Sequence, residues 1–515
     1  MRTLFNFDFV VCGSGSSGSV IAGRIAENRD VEVLLIEAGG NDCSASVTEA
    51  ASWMTNIGSE RDWCFSAEPN PRLNGRRLHL AMGKGLGGGS SMNGMMWARG
   101  HRSDWDLLAV ATGDSGWSYN SILKIYRRIE DWHGAPDRER RGVGGPVFVQ
   151  AVPNPPLIAL AFKDAAKSCG IPCYADANGE MMELERGCAL LNVTVRGSRR
   201  VSIFRSYTGD VADKPNLTVL HDATVTRLLC RGKRVTGVEF SCDGETYTAN
   251  AGLQVVVSLG AINTPKLLMQ SGIGPDEELK RHGIPIVQHL PGVGQNFQDH
   301  FNVAGSLWEA KEPLPFGANG GGATAFWNGD TKVDAPNFQL IQALIPYVSD
   351  DARKIDLPRN TWSILPIVLQ PESRGWIRLT GPNPSDGLEI DAGFLNEPAD
   401  FKMALDCLAF SRAIGNSPAL RGLSGPEALP GPLPSRELDN FIRSAIMPQW
   451  HPCGTAKMGN DALSVVDSHL HVYGIDGLMI ADAAVLPRIP TGNTMAPCVV
   501  IGERASEILR AKHGI

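Results

Sequence analysis

A glycine-rich turn between an apolar strand and a helix lies within the first forty residues, and it constrains the fold more than any other segment. Phe7–Val11 is a short apolar run that predicts a buried strand. The turn Gly13-Ser14-Gly15-Ser16-Ser17-Gly18 follows, and residues 19–26 then show helical apolar spacing. A second apolar run, Val31–Ile36, predicts the next strand. This order of strand, turn, helix and strand predicts a Rossmann-like dinucleotide-binding unit.

The residues of this unit have distinct expected roles. Gly13 permits the tight turn, Gly15 lets a pyrophosphate approach the backbone, and Gly18 lets the helix pack on the strand. Glu37 ends the second strand, where a carboxylate can accept hydrogen bonds from ribose hydroxyls. An acid at this position would repel a 2′-phosphate and so argues against NADP. The choice between FAD and NAD stays open on this unit alone.

The charge balance narrows the classes of partner. The 515 residues carry a formal net charge of −7, which predicts neither nucleic-acid binding nor attraction to anionic lipid. No apolar run reaches the ~18 residues of a membrane span, and no leader composition precedes the first strand. We therefore expect a cytoplasmic protein with no membrane span. The oligomeric state stays open.

The eleven cysteines are scattered along the chain, and no CxxC motif is present. The sequence thus predicts free thiols in a reducing compartment and no metal site. His469 and His471 form an isolated His-x-His, which is more typical of a strand surface than of a metal site.

The densest glycine segment is Gly83–Gly94, which reads Gly-Lys-Gly-Leu-Gly-Gly-Gly-Ser-Ser-Met-Asn-Gly. A flexible linker is the alternative for such a composition, but apolar segments flank it at 78–82 and 95–98. Successive N–H groups in a glycine loop form an anion-binding concavity. The segment therefore predicts contact with an extended, anionic cofactor.

Five segments together resemble the glucose-methanol-choline (GMC) oxidoreductase family, including its choline dehydrogenase-like and aryl-alcohol oxidase-like members. The first is the glycine segment Gly83–Gly94. The others are Gly260–Gly274, Pro291–His300, Trp450–Gly459 and Ala481–Thr494, in family order. The resemblance covers nearly the whole chain.

The resemblance implies FAD as the cofactor. Some family members attach FAD covalently through a histidine just before the asparagine that approaches the flavin. Here Met92 precedes Asn93, so we expect non-covalent FAD. The expected cofactor-binding residues are Gly13, Gly15, Ser16, Ser17, Gly18, Glu37, Ala38, Gly83, Gly88, Ser90, Met92, Asn93, Gly94, Met95, Val225, Ala261, Asp482, Ala483, Asn493 and Thr494.

The resemblance also implies a discontinuous organisation. The expected fold is α/β, with a Rossmann-like FAD-binding domain interleaved with an α+β substrate domain built on an antiparallel sheet. The FAD-binding domain would comprise residues 1–150, 205–300 and 460–515, and the substrate domain 151–204 and 301–459. The Pro/Gly-rich stretch 422–434 predicts a surface loop.

His451 and Asn493 are the candidate catalytic residues. A histidine suits removal of a hydroxyl proton because its ordinary pKa lies near working pH, but eleven histidines are present. The family places its catalytic histidine at His451, and a second histidine or an asparagine at Asn493. His300 lies inside a family segment, with a structural role as the leading interpretation. Trp450, His451 and Asn493 are the expected substrate contacts.

The sequence therefore predicts FAD-dependent oxidation of a primary alcohol to the aldehyde. His451 would be the base, hydride would pass to flavin N5, and oxygen or another acceptor would reoxidise the flavin. An apolar pocket favours aryl or heteroaryl methanols slightly over choline. The alternatives are a choline-type dehydrogenase with a non-oxygen acceptor, and a hydroxynitrile-lyase-like protein with non-redox FAD.

Overall fold

Two large β-sheets, each backed by helices, organise the chain in this computed structural model. The structure describes residues 2–209, 213–329, 335–351 and 357–515, with the side chains of 2–5 excluded. The predicted fold class, α/β with an added antiparallel sheet, is confirmed.

The first sheet has seven strands and carries the glycine turn at its centre. Arg2–Cys12 pairs in parallel with Val33–Ile36 on one side and Glu245–Val257 on the other. The four residues of Val33–Ile36 are all buried, as expected for a parallel strand covered on both faces. The remaining strands are Leu217–Leu220, Ala223–Arg231, Arg234–Cys242 and Leu478–Ile480.

The second sheet has eight strands, and the strand pairs of the sheet are antiparallel. Its central strands Phe338–Ala343 and Thr361–Val368 are buried throughout and pair over six residues. The other strands are Gly187–Leu190, Phe301–Val303, Leu307–Ala310, Gly321–Trp327, Ser424–Leu429 and Ile446–Pro448. The limits of the two predicted domains themselves stay a prediction.

The helices cover the faces of the sheets. The helix after the first glycine turn, Ser16–Ile25, packs against the long C-terminal helix Met495–His513. The other α-helices are Ala45–Thr48, Arg102–Thr112, Tyr119–Ile129, Leu157–Ser168, Ile203–Thr208, Gly260–Gln270, Asp276–Arg281, Pro398–Gly415 and Ser435–Ala445. None of the helices in the described ranges is long and apolar enough to cross a bilayer.

Short two- and three-stranded ribbons complete the fold. They comprise Phe65–Ser66 with His79–Leu80, Val195–Arg196 with Arg199–Arg200, Ile273–Gly274 with Gln288–His289, Trp376–Leu379 with Leu388–Asp391, and Glu130–Trp132 with Val147–Ala151 and Asn192–Val193.

One local prediction was wrong. The stretch 422–434, expected as a surface loop, contains the strand Ser424–Leu429, which pairs with Leu307–Ala310 at the edge of the second sheet. Pro426 lies within this strand, and a proline, which lacks an N–H group, is tolerated on an edge strand.

Candidate active site

The two glycine segments pack directly on each other at the carboxyl edge of the first sheet. A Cβ atom added to Gly88 would lie 2.8 Å from the Cα atom of Gly15, so only a glycine fits without a shift. The N–H of Gly87 donates to the carbonyl of Ser14 at 3.1 Å. Both loops therefore present main chain, rather than side chains, to the same space.

Glu37 connects these loops to the end of the second strand. One carboxylate oxygen accepts from the N–H and the hydroxyl of Ser14, at 3.0 and 2.8 Å, and the other from the N–H groups of Gly39 and Gly85, at 3.0 and 3.1 Å. Burial raises the pKa of this carboxyl group, and the N–H donors act in the opposite direction. Glu37 thus connects both glycine loops through hydrogen bonds, a role that the sequence did not suggest.

A single cavity collects most of the predicted site residues. Those in its wall are Gly13, Gly15, Ser16, Ser17, Glu37, Ala38, Gly83, Gly88, Met92, Asn93, Gly94, Ala261, Trp450, His451, Asp482, Ala483, Asn493 and Thr494. The wall also includes residues from both sheets, such as Ser258 after a strand of the first sheet and Ile341 and Leu365 in the second.

Four predicted cofactor residues are not part of this wall. Gly18 packs on the turn, where an added Cβ would lie 1.9 Å from the carbonyl oxygen of Gly13. Ser90 donates to the carbonyl of Gly87, and Met95 is fully buried. Val225 lies in the strand Ala223–Arg231, opposite Phe240.

His451 lies in the cavity wall with a neighbour at each ring nitrogen. Its Nδ1 is 3.0 Å from Nδ1 of His300, and its Nε2 is 3.3 Å from Nδ2 of Asn493. The N–H of His451 donates to the carboxylate of Asp299 at 2.8 Å. If the Asn493 amide donates to Nε2, the proton of a neutral His451 lies on Nδ1 and points to His300.

Burial keeps this histidine pair neutral. It lowers the pKa of His451 from 6.5 to about 4. Burial, with a smaller contribution from His451, also holds the pKa of His300 well below its ordinary value. A neutral imidazole has one nitrogen able to accept a proton, so His451 can act as a base at neutral pH.

The cavity wall also contains a group of aromatic and aliphatic side chains. They are Trp53, Ile57, Trp63, Met92, Met96, Ile341, Ile345, Tyr347, Leu365 and Trp450. The indole N–H of Trp53 donates to the carbonyl of Asn319 at 3.0 Å, which fixes the ring. Among the described residues, the wall contains no lysine or arginine.

Sequence reasoning missed several of these contributors. Trp53 and Trp63 line the cavity but lie in residues 1–150, which the sequence assigned to the FAD-binding domain and not to the substrate domain. The buried Arg200 donates to the carbonyl oxygens of Ser90 and Asn93 at 3.0 and 2.7 Å behind the second glycine segment. No motif marks these residues, because each reaches the site through long-range contacts.

Comparisons with known proteins identify the family that has this architecture. Sequence models described as GMC oxidoreductase match residues 7–302 and 371–502. This chain belongs to the GMC oxidoreductase family. An uncharacterized GMC-type oxidoreductase of Mycobacterium bovis is 35% identical over 98% of this chain and 99% of its own length. The oxygen-dependent choline dehydrogenase of Brucella anthropi is 33% identical over 97% of this chain and 95% of its own.

A solved structure is also similar. The crystal structure of pyridoxine 4-oxidase, described as from Mesorbium loti, superposes with a TM-score of 0.92 at 32% identity, covering 99% of this chain and 100% of that one. As a GMC oxidoreductase, the chain is an FAD-dependent alcohol oxidase or dehydrogenase, and FAD is its cofactor.

The cavity fits this cofactor. The helix Ser16–Ile25 begins at the cavity wall without a side-chain cap, so its first N–H groups are available to a pyrophosphate. An added Cβ at Gly15 would meet no atom within 4 Å, which leaves the backbone open to a ligand. Asp482 is held by the N–H groups of Gly260 and Ala484, at 2.9 and 2.7 Å. The free N–H groups at the start of the helix and the open backbone at Gly15 therefore suit an extended anionic dinucleotide.

Proposed function

We propose that the chain oxidises an aryl or heteroaryl methanol, or a similar small primary alcohol, to the aldehyde, with His451 as the base. The observation that carries the proposal is a neutral, half-buried His451 whose Nε2 faces Asn493 in a cavity wall that also contains aromatic side chains.

The proton would move to Nε2 of His451. This nitrogen accepts from the Asn493 amide at 3.3 Å, and an alcohol hydroxyl would take over that position. The amide would then donate to the alcohol oxygen and fix its approach. The contact of Nδ1 with His300 would keep the ring in place as the charge develops.

The two glycine segments, the start of helix Ser16–Ile25 and Asp482 would hold the cofactor. When bound, FAD supplies the two-electron oxidant that accepts hydride from the alcohol carbon. Met92 lies in the cavity wall, and its thioether would leave the flavin unattached. Oxygen or another acceptor would complete the cycle.

The substrate class rests on the side chains of the cavity wall and their charge. A wall of indole rings and aliphatic side chains without a lysine or arginine suits an uncharged aromatic alcohol. The similarity to pyridoxine 4-oxidase supports a heteroaryl methanol. Choline is the second candidate, because the aromatic rings of Trp53, Tyr347 and Trp450 in the cavity wall could contact a quaternary ammonium, and because choline dehydrogenases are similar over nearly the whole chain.

The test is anaerobic mixing of the FAD-loaded enzyme with benzyl alcohol, pyridoxine and choline, followed at the flavin absorbance band. We expect bleaching, fastest with an aromatic alcohol. His451→Ala should slow flavin reduction by at least about 10²-fold, because the proton acceptor is lost. The exposed His469 provides the matched control, and His469→Ala should reduce at the wild-type rate.

Each result of this experiment distinguishes between the candidate functions. Bleaching by choline alone would support the choline-type reaction over oxidation of an aromatic alcohol. The absence of bleaching with every alcohol would favour a non-redox role of FAD. Near-normal reduction of His451→Ala would remove His451 as the base. Repeating the active mixtures in air with peroxide detection separates an oxidase from a dehydrogenase.

A further inference from the structure

Two cysteines outside the active site face each other across a parallel β-bridge. Cys173 follows the helix Leu157–Ser168, and Cys188 lies in the edge strand Gly187–Leu190 of the second sheet. The N–H of Cys188 donates to the carbonyl of Pro172, and the N–H of Tyr174 to the carbonyl of Cys188, both at 2.8 Å. The two hydrogen bonds fix the backbones on either side of Cys173.

This arrangement fits a disulfide without rearrangement of the backbone. Neighbouring strands lie about 4.8 Å apart in the hydrogen-bonding direction, and disulfides join Cα atoms roughly 4.4–6.8 Å apart. The two thiols lie close enough to shift each other's pKa, and Sγ of Cys173 also donates to the carbonyl oxygen of Lys163 at 3.3 Å. Among the cysteines that the structure describes, this is the one pair joined by a β-bridge.

The two thiols differ in exposure and acidity. Cys173 is exposed and Cys188 is buried. The neighbouring Cys188 thiol lowers the pKa of Cys173 to about 7; burial acts against this, and Lys163 and Lys167 add to it. The interaction with Cys173, together with burial, holds the pKa of Cys188 well above its ordinary value. Cys173 is therefore the nucleophile of the pair, and Cys188 is the neighbouring thiol that forms the disulfide with it.

We propose that Cys173 and Cys188 form a reversible intramolecular disulfide when the enzyme meets a hydroperoxide. The Cys173 thiolate attacks the peroxide, the O–O bond breaks, and a sulfenic acid and hydroxide form. The Cys188 sulfur then displaces the sulfenic hydroxyl, and its proton leaves with that hydroxyl as water. Two thiols are oxidised and one hydroperoxide is reduced, so the step requires no other reactant.

The disulfide would join the two ends of residues 174–187, a segment that packs beside the cavity. Residues 174–187 contain Asn178, whose amide oxygen accepts the N–H of Arg99 at 2.8 Å. They also contain Met181 and Met182, which belong to the same hydrophobic cluster as Ile341 and Leu365 of the cavity wall. The bond would link this segment covalently to the second sheet, which contributes Ile341 and Leu365 to the cavity wall.

The test uses the reduced, FAD-loaded enzyme with added hydrogen peroxide and no alcohol, so it does not depend on the proposed function. Intact mass should fall by two hydrogens, and digestion should yield one linked peptide pair containing Cys173 and Cys188. Dithiothreitol should restore both thiols. At pH 7, Cys173 should react about tenfold faster than Cys64, whose pKa is raised by burial and by Asp62.

Variants separate the roles of the two sulfurs. Cys188→Ala should arrest oxidation at a Cys173 sulfenic acid that dimedone traps, and Cys173→Ser should abolish the linked peptide. Cys43→Ser and Cys64→Ser remove other exposed thiols and should leave the pair intact as controls. The proposal is overturned if the wild type accumulates a Cys173 sulfinic acid without a linked peptide, or if Cys43 or Cys64 oxidises first while Cys173 stays reduced.

Discussion

At the scale of single residues, His451 differs from the other histidines by what holds its ring. Its residue type carries no distinction, and the resemblance alone identified it. The structure adds the contact with His300 at Nδ1 and with Asn493 at Nε2, and the burial that keeps the ring neutral. These features depend on residues up to 151 positions apart, so no local pattern could predict them.

The lowered pKa of His451 gives a prediction of pH dependence. Only the neutral imidazole accepts a proton, so the rate of flavin reduction should stay constant across neutral pH and fall as the pH drops through about 4. Stopped-flow reduction at a series of pH values measures this. His469→Ala should give the same profile, because His469 is exposed and distant in sequence from the pair. An inflection at 6.5 or above would contradict a burial-lowered pKa.

At the scale of elements, Glu37 joins two loops that lie far apart in sequence. Its four donors fill both carboxylate oxygens. Glu37→Gln places an amide N–H₂ against N–H donors, and each donor left unpaired costs roughly 1–3 kcal/mol. We expect a lower melting temperature and FAD affinity reduced at least about tenfold, since 1.4 kcal/mol corresponds to that factor. Flavin fluorescence titration and thermal unfolding measure the two effects.

The exposed Glu32, on the approach to the same strand, provides the control for Glu37. Glu32→Gln should leave both quantities unchanged. Wild-type FAD affinity in Glu37→Gln would show that the loops hold their positions without the carboxylate.

Arg200 supports the second glycine segment from behind. It is buried, burial lowers its pKa to about 9, and it donates to the carbonyls of Val47, Ser90 and Asn93. Arg200→Met leaves those buried acceptors unpaired, at roughly 1–3 kcal/mol each. We expect a purified variant with a lower melting temperature and little bound flavin.

Its sequence neighbour gives a matched comparison. Arg199 is exposed and pairs with Glu49 at 3.2 Å on the surface, a contact worth about 0–1 kcal/mol. Arg199→Met should therefore retain flavin and thermal stability. Equal losses in both variants would argue against a specific role of Arg200.

At the scale of the whole molecule, features encoded by neighbouring residues could be predicted from the sequence, and features that depend on long-range contacts could not. The strand at Val33–Ile36 and the glycine turn before it were recognisable because their signals lie within about forty residues. The edge strand Ser424–Leu429 was missed because proline and glycine usually mark loops, and only its pairing with Leu307–Ala310 makes it a strand. Trp53 and Trp63 were missed because the folding of the N-terminal part against the second sheet brings them to the cavity.

Because the cavity wall takes residues from both sheets, the cofactor should stabilise the entire fold. FAD at about 100 times its Kd would add about 2.7 kcal/mol to the free energy of unfolding. We expect the FAD-free protein to melt at a lower temperature than the loaded enzyme, with recovery when FAD is added back. Acid precipitation of the loaded enzyme should release all flavin into the supernatant, because the thioether of Met92 forms no bond to it. Flavin that stays in the pellet would contradict non-covalent binding, and an unchanged melting temperature would show that the two sheets hold together without the cofactor.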